Sequence, residues 1–228
     1  GMKVFMSSGW AKNQDDNLRN PKTKERQIKM MDELASIYGN HPALYGWYLP
    51  VEDCLGPVLS EYAVDAVNQL AEHARSLTPG AKILISPYGI FNSKFDHPDY
   101  ASRIRALKVD IIAYQDEVGC EREENPLQSL RTNWRRLRDI HEGTGIDIWA
   151  NCETFTWEKE PNARNSALIP APFNRVREQL NVATQGGVSR IISFAVCGIW
   201  DTPGSPYPIG HPGSQAAHKA YKTFLNEN

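Results

Sequence analysis

Apolar residues recur along this chain in two alternating rhythms. Short apolar runs of strand length occupy residues 2–7, 43–51, 82–86, 109–114, 147–152 and 190–195. Between them the apolar spacing turns helical, which predicts helices over 22–38, 58–77, 100–107, 127–141, 173–184 and 214–225. Ile28, Met31, Leu34 and Ile37 share one face of the first helix, and Leu59, Ala63, Val67, Leu70 and Ala74 form the stripe of the second. Leu130, Trp134 and Leu137 face inward from the otherwise charged fourth. Gly39-Asn40, Pro79-Gly80 and Gly186-Gly187 stop three of these helices. Residues 153–172 read as one long loop.

Six strands alternating with six helices predict an α/β fold with a parallel sheet, in a single domain over 1–228. The connections from helix to strand (39–42, 78–81, 143–146, 185–189) are short. Those from strand to helix are long and rich in aromatic, acidic, Asn and Pro residues. This division puts stabilising turns at one end of the strands and a functional face at their C-terminal ends. A doubly wound open sheet has the same polarity. No G-x-G-x-x-G or phosphate loop follows any strand, however, which weighs against a nucleotide cofactor.

Composition changes this picture little. With 228 residues, 41% hydrophobic and 23% charged, the chain has ample material for one globular core. A net charge of -2 offers no basic footprint for nucleic acid. No apolar run reaches the ~18 residues of a membrane span. Gly1-Met2 reads as a tag remnant before a start methionine, and no signal-peptide pattern follows. Localisation is therefore open, and an extracytoplasmic site would require a leader ahead of this chain. The four widely spaced cysteines predict free, mostly buried thiols. Only His97 and His211 fall on the functional face and no metal-binding His motif occurs, so neither a metal nor any other cofactor is implied.

Two of the apolar runs share a further design. The run Leu44-Tyr45-Gly46-Trp47-Tyr48-Leu49-Pro50-Val51 ends on Glu52, and Ile148-Trp149-Ala150-Asn151-Cys152 ends on Glu153. Glycoside hydrolysis needs one protonated and one ionised carboxyl facing each other. Glu52 follows Trp47, Tyr48 and Pro50, an apolar setting suited to the acid. Glu153 lies between Asn151 and Thr154, a polar setting suited to the nucleophile. Ordinary loop carboxylates that cap helices or pair with Arg are the competing account. Asp53 would replace Glu52 if the strand parity shifted by one residue. Asp116 and Glu117, at the end of the fourth strand, would bind sugar hydroxyls or tune a catalytic carboxyl, with an ordinary acidic loop pair as the competing account. Trp10, Tyr88, Phe91, Tyr114, Phe155, Trp157, Trp200 and Tyr207 fall at or just beyond strand ends. Such a rim offers ring faces to sugar C–H groups, although aromatics also fill cores.

Several segments resemble an uncharacterised glycosidase-like barrel family, the domain of unknown function 4434. They are Gly46 to Glu52, Ile85-Ser86-Pro87-Tyr88, Asp110 to Asp116 with Gly119, Trp149 to Phe155, and Ile192-Ser193-Phe194. The resemblance implies a (β/α)8 barrel of which six units are visible. If the last strand is the barrel's eighth, the strands number three to eight. Glu52 and Glu153 then end strands four and seven, where clan-A retaining glycoside hydrolases carry their acid/base and nucleophile. Two departures stand out. Val51 occupies the clan's usual Asn position before the strand-four Glu, and the first two units are absent. The barrel edge would then stay open unless self-association, a partner or an N-terminal segment ahead of this chain closes it.

The expectation is a retaining glycoside hydrolase acting on a carbohydrate substrate, with Glu52 and Glu153 as its catalytic pair. Trp10, Tyr88, Tyr114, Asp116, Asn151, Trp157 and Trp200 would bind the substrate. The alternative is a non-catalytic carbohydrate-binding barrel.

Overall fold

The computed structural model describes residues 1–9, 20–50, 53–120, 124–159, 166–204 and 210–227. In chain order the elements are β1 (Val4–Ser7), α1 (Pro21–Tyr38), β2 (Leu44–Tyr48), α2 (Glu61–Leu77), β3 (Lys82–Ile85), α3 (Pro98–Ala106) and β4 (Ile111–Gln115). Then come α4 (Pro126–His141), β5 (Asp147–Glu153), β6 (Phe155–Trp157), β7 (Leu168–Pro170), α5 (Phe173–Gly186), β8 (Arg190–Phe194) and α6 (Ser214–Glu227). Six strands form one sheet in the order β1-β2-β3-β4-β5-β8, and β6 and β7 form a separate pair. Sheet order follows chain order, as expected when helices carry the chain between neighbouring parallel strands. The chain packs as two compact units, Gly1–Tyr114 with Asp139–Ile148, and Gln115–Arg138 with Trp149–Asn228.

In the first unit β1, β2, β3 and β4 pair in parallel. Gly46 is required where β2 passes its neighbours, since a Cβ there would stand 2.1 Å from the Lys82 carbonyl oxygen and 2.7 Å from the Phe5 ring. Helix α2 starts where the Ser60 hydroxyl accepts from the Ala63 amide. It buries Ala63, Val67, Leu70 and Ala74, the stripe that its periodicity predicts. Helix α1 departs from its predicted stripe. Met31 is buried, but Thr23 and Gln27 are buried with it, while Ile37 is 68% exposed. The Gln27 amide donates to the Gly9 carbonyl, so a polar residue takes a position that periodicity alone would give to an apolar one.

In the second unit β5 and β8 pair in parallel, with Glu153 opposite Phe194. Leu130 and Trp134 of α4 are buried as expected. Gly186 at the end of α5 packs on Trp134, leaving 2.4 Å between a hypothetical Cβ and the Trp134 Cβ. Residues 153–172 are not simply a loop, because β6 and β7 pair antiparallel within them. The sequence hides this hairpin because each strand is only three residues long. Phe155, Ala171, Val176, Ile199 and Trp200 form a buried cluster beneath it.

Candidate functional site

The best-defined constellation lies in the second unit around Glu153, the last residue of β5. Asp116 follows the final residue of β4, and its amide donates to the Asn151 carbonyl. Its carboxylate Oδ1 accepts from the Glu153 amide at 3.1 Å and the Val118 amide at 3.2 Å. Its Oδ2 accepts from Gln179 Nε2 at 2.7 Å. The same Gln179 nitrogen donates to the Glu153 carbonyl at 3.1 Å. Arg175, one turn earlier on α5, donates to the carbonyls of Val118, Glu153 and Phe155. One helix face therefore holds the main chain on both sides of Glu153.

The chain after Asp116 turns back over the Glu153 side chain. Glu117 is buried at φ 53, a left-handed conformation uncommon for a residue with a side chain. Gly119 then passes so close that a Cβ there would lie 2.8 Å from the Glu153 Cβ and 3.1 Å from Oε2. This approach lets the Cys120 amide donate to Glu153 Oε2 at 2.7 Å, while the thiol donates to Oε1 at 3.4 Å. Both carboxylate oxygens thus have a donor supplied by one residue.

Glu153 is only 5% exposed. Burial, reinforced by the charge of Asp116, pushes its carboxyl up to about 7. The Cys120 amide and thiol oppose the rise, and Glu117 adds a further like charge. Asp116 is also raised by burial, against the bonds from Gln179, the Glu153 and Val118 amides, and Cys152. Two neighbouring carboxyls that both resist ionisation titrate as a pair. The polar sequence around Glu153 suggested a carboxylate held ionised, whereas the folded setting leaves it about half protonated at pH 7.

The other predicted residues divide by environment. Glu52 and Trp10 lie outside the described residues, as does Tyr207. The rim reading does not hold for Tyr114, Phe155 and Trp200, which are buried. Tyr114 directs its hydroxyl to His141 Nε2 at 2.8 Å, and Trp200 donates its indole N–H to Thr154 at 2.7 Å. Internal partners for these polar tips explain why both rings turn inward. Asp116 is likewise buried, and its hydrogen bonds to protein groups favour the tuning alternative over contact with a sugar. Asn151 and Trp157 are half-buried, Asn151 two residues before Glu153 on β5 and Trp157 with its indole N–H directed at the Cys120 carbonyl.

In the first unit, Tyr88 is half-buried and its carbonyl accepts from the Leu55 amide, just after the segment that carries Glu52. Asp53 accepts from the Cys54 amide and the Ser60 hydroxyl, a loop-ordering role that explains the residue without catalysis. His97 and His211 each accept a nearby backbone amide. None of the four cysteines forms a disulfide; Cys152 is buried, Cys54 and Cys120 half-buried and Cys197 exposed.

Sequence reasoning missed Phe194, Cys120, Gln179 and Arg175. Phe194 is 52% exposed next to Glu153 in the β5–β8 register and packs edge-on against Phe155. Its position at a strand end was visible; its exposure depends on the sheet. The other three act through contacts between residues far apart in sequence, which periodicity cannot register. Among the described residues, no group of three or more His, Cys, Asp or Glu side chains is placed to hold a metal. No helix among them is long and apolar enough to cross a membrane.

Solved structures share the fold. A candidate alpha-L-fucosidase from Bacteroides thetaiotaomicron matches with a TM-score of 0.69 at 18% identity, over 91% of this chain and 64% of its own. GH5_18 from Streptomyces cattleya, in complex with GlcNAc, matches at 0.56 and 14%, over 100% of this chain and 63% of its own. The endo-1,4-beta-D-mannanase from Thermotoga petrophila matches at 0.55 and 14%, over 90% and 66%. The chain thus spans just under two thirds of the length of the fucosidase-like protein. At these identities the likeness is one of fold, a partial (β/α) barrel. No curated protein matches the sequence. Residues 1–207 match the model of the Domain of unknown function DUF4434, and the chain belongs to that family.

Proposed function

We propose that this chain hydrolyses glycosidic bonds, using Glu153 and Glu52 as its carboxyl pair. The observation that carries the reading is a buried carboxyl, Glu153, at the C-terminal end of a parallel strand and raised to about 7. Barrel enzymes place their chemistry at that end of the strands. The glycoside hydrolases that share the fold add support for carbohydrate as the substrate class.

In the retaining scheme Glu153, once ionised, attacks the anomeric carbon while Glu52 protonates the departing oxygen. Water then hydrolyses the glycosyl-enzyme ester, with Glu52 acting as base. Phe194 and Trp157 supply ring surface beside Glu153, and Asn151 supplies a hydrogen bond. The raised Glu153 carboxyl favours a second assignment within the same reaction, in which Glu153 is the proton donor.

Hydrolysis of a panel of aryl glycosides and glycans by wild type and Glu153→Ala tests the reading. Turnover lost in the variant, with the circular dichroism spectrum intact, supports it. If Glu153 is the nucleophile, kcat/KM rises with pH through about 7. If it is the proton donor, kcat/KM falls through the same range. Turnover that survives the substitution moves the chemistry elsewhere. Glycan binding without turnover leaves a carbohydrate-binding barrel.

A further inference from the structure

We propose that Asp116 and Cys120 are the positioning residues of Glu153, Asp116 fixing its main chain and Cys120 its carboxylate. This rests on reading Glu153 as a catalytic carboxyl and extends that reading to how its protonation is set. Asp116 bonds both the Glu153 amide and the Val118 amide, so a single carboxylate ties the end of β5 to the start of the turn. That turn then delivers the Cys120 amide and thiol to the two oxygens of Glu153. The two residues act on Glu153 in opposite senses. The Asp116 charge disfavours ionisation of Glu153, and the Cys120 donors favour it.

Among the described residues, further charged or titratable groups around Glu153 come from three places. Glu117 belongs to the same turn, Cys152 precedes Glu153 on β5, and Arg175 reaches over from α5. Arg175 and Gln179 donate to the Glu153 carbonyl. Their contacts therefore fix the backbone, leaving Asp116 and Cys120 as the pair that links backbone geometry to the carboxyl.

The test reads Glu153 directly by carboxyl 13C NMR titration of the whole chain, in wild type, Asp116→Asn, Cys120→Ala and Cys120→Ser. Assignment comes from the signal missing in Glu153→Gln. The expected wild-type midpoint is about 7. It should fall by about one pH unit in Asp116→Asn, rise in Cys120→Ala, and return towards the wild-type value in Cys120→Ser. Midpoints that stay put in both Asp116→Asn and Cys120→Ala overturn the proposal. A second measurement on otherwise native protein covers the case in which Asp116→Asn does not fold. Alkylation of Cys120 by iodoacetamide, followed by peptide mass spectrometry, should show an inflection near the Glu153 midpoint that disappears in Glu153→Gln. An alkylation profile identical in the two proteins also overturns it. Neither readout needs substrate, so failure of the glycosidase reading would appear separately, as absent turnover with the expected titration.

Discussion

Ionising a carboxyl out of water, beside another carboxyl, costs stability, and Glu153 is in that position. Its folded value of about 7 lies above the ordinary 4.5, so the folded state holds a proton that the unfolded state releases first. Stability from this group is fully present below about pH 4.5 and is lost as pH rises through about 7. Glu153→Gln removes the titration. The variant should therefore gain stability over wild type at about pH 8 compared with about pH 5, by roughly 2–3 kcal/mol in urea unfolding. An equal effect at both pH values would show that Glu153 is not buried as described. Glu153 itself was legible as a strand-end carboxylate. Its environment was not, because adjacent Asn151 and Thr154 suggested polarity, whereas Asp116 and Cys120 reach it from 37 and 33 residues away.

At the scale of elements, α5 does more than cover the sheet. Arg175 and Gln179 lie one turn apart on it and bond the chain around β5. Arg175→Lys keeps the charge but replaces the planar donor fork with one ammonium, which cannot serve three carbonyls in the same geometry. The expected loss is roughly 2 kcal/mol of unfolding free energy, read by urea denaturation. A loss near zero would mean that water replaces those bonds. Most elements could be read from apolar spacing, most clearly α2, where the whole predicted stripe is buried. The spacing misled for α1, where Gln27 satisfies its amide on a carbonyl and so can be buried while Ile37 is exposed. It was silent for β6 and β7, which are too short to repeat and depend on each other for pairing.

For the molecule as a whole, Glu153 and His141 pull the pH dependence of stability in opposite directions. His141 Nδ1 faces the Ile146 carbonyl and Nε2 faces the Tyr114 hydroxyl, which suits the neutral ring. Burial lowers its pKa below the ordinary 6.5. Its contribution is present above about pH 6.5 and is lost as pH falls through the folded value. Glu153 behaves in the reverse sense. Between about pH 5 and pH 7, the slope of stability against pH should be more positive in Glu153→Gln than in wild type, and more negative in His141→Gln. Thermal melts across that range check the prediction, and slopes in the two variants equal to that of wild type would refute it. The fold type was visible in the alternation of strands and helices, whereas which aromatics turn inward was not. Tyr114 and Trp200 are held inside by His141 and Thr154, partners that no local pattern identifies.

The Arg175 contacts also set an order of events during synthesis. Val118, Glu153 and Phe155 all leave the ribosome before Arg175 and Gln179 do. Until α5 emerges, the Val118, Glu153 and Phe155 carbonyls have no Arg175 guanidinium to hold them. A nascent chain arrested before residue 173 would therefore have its carboxylates without the clamp that fixes them, and the site would mature only as translation passes α5.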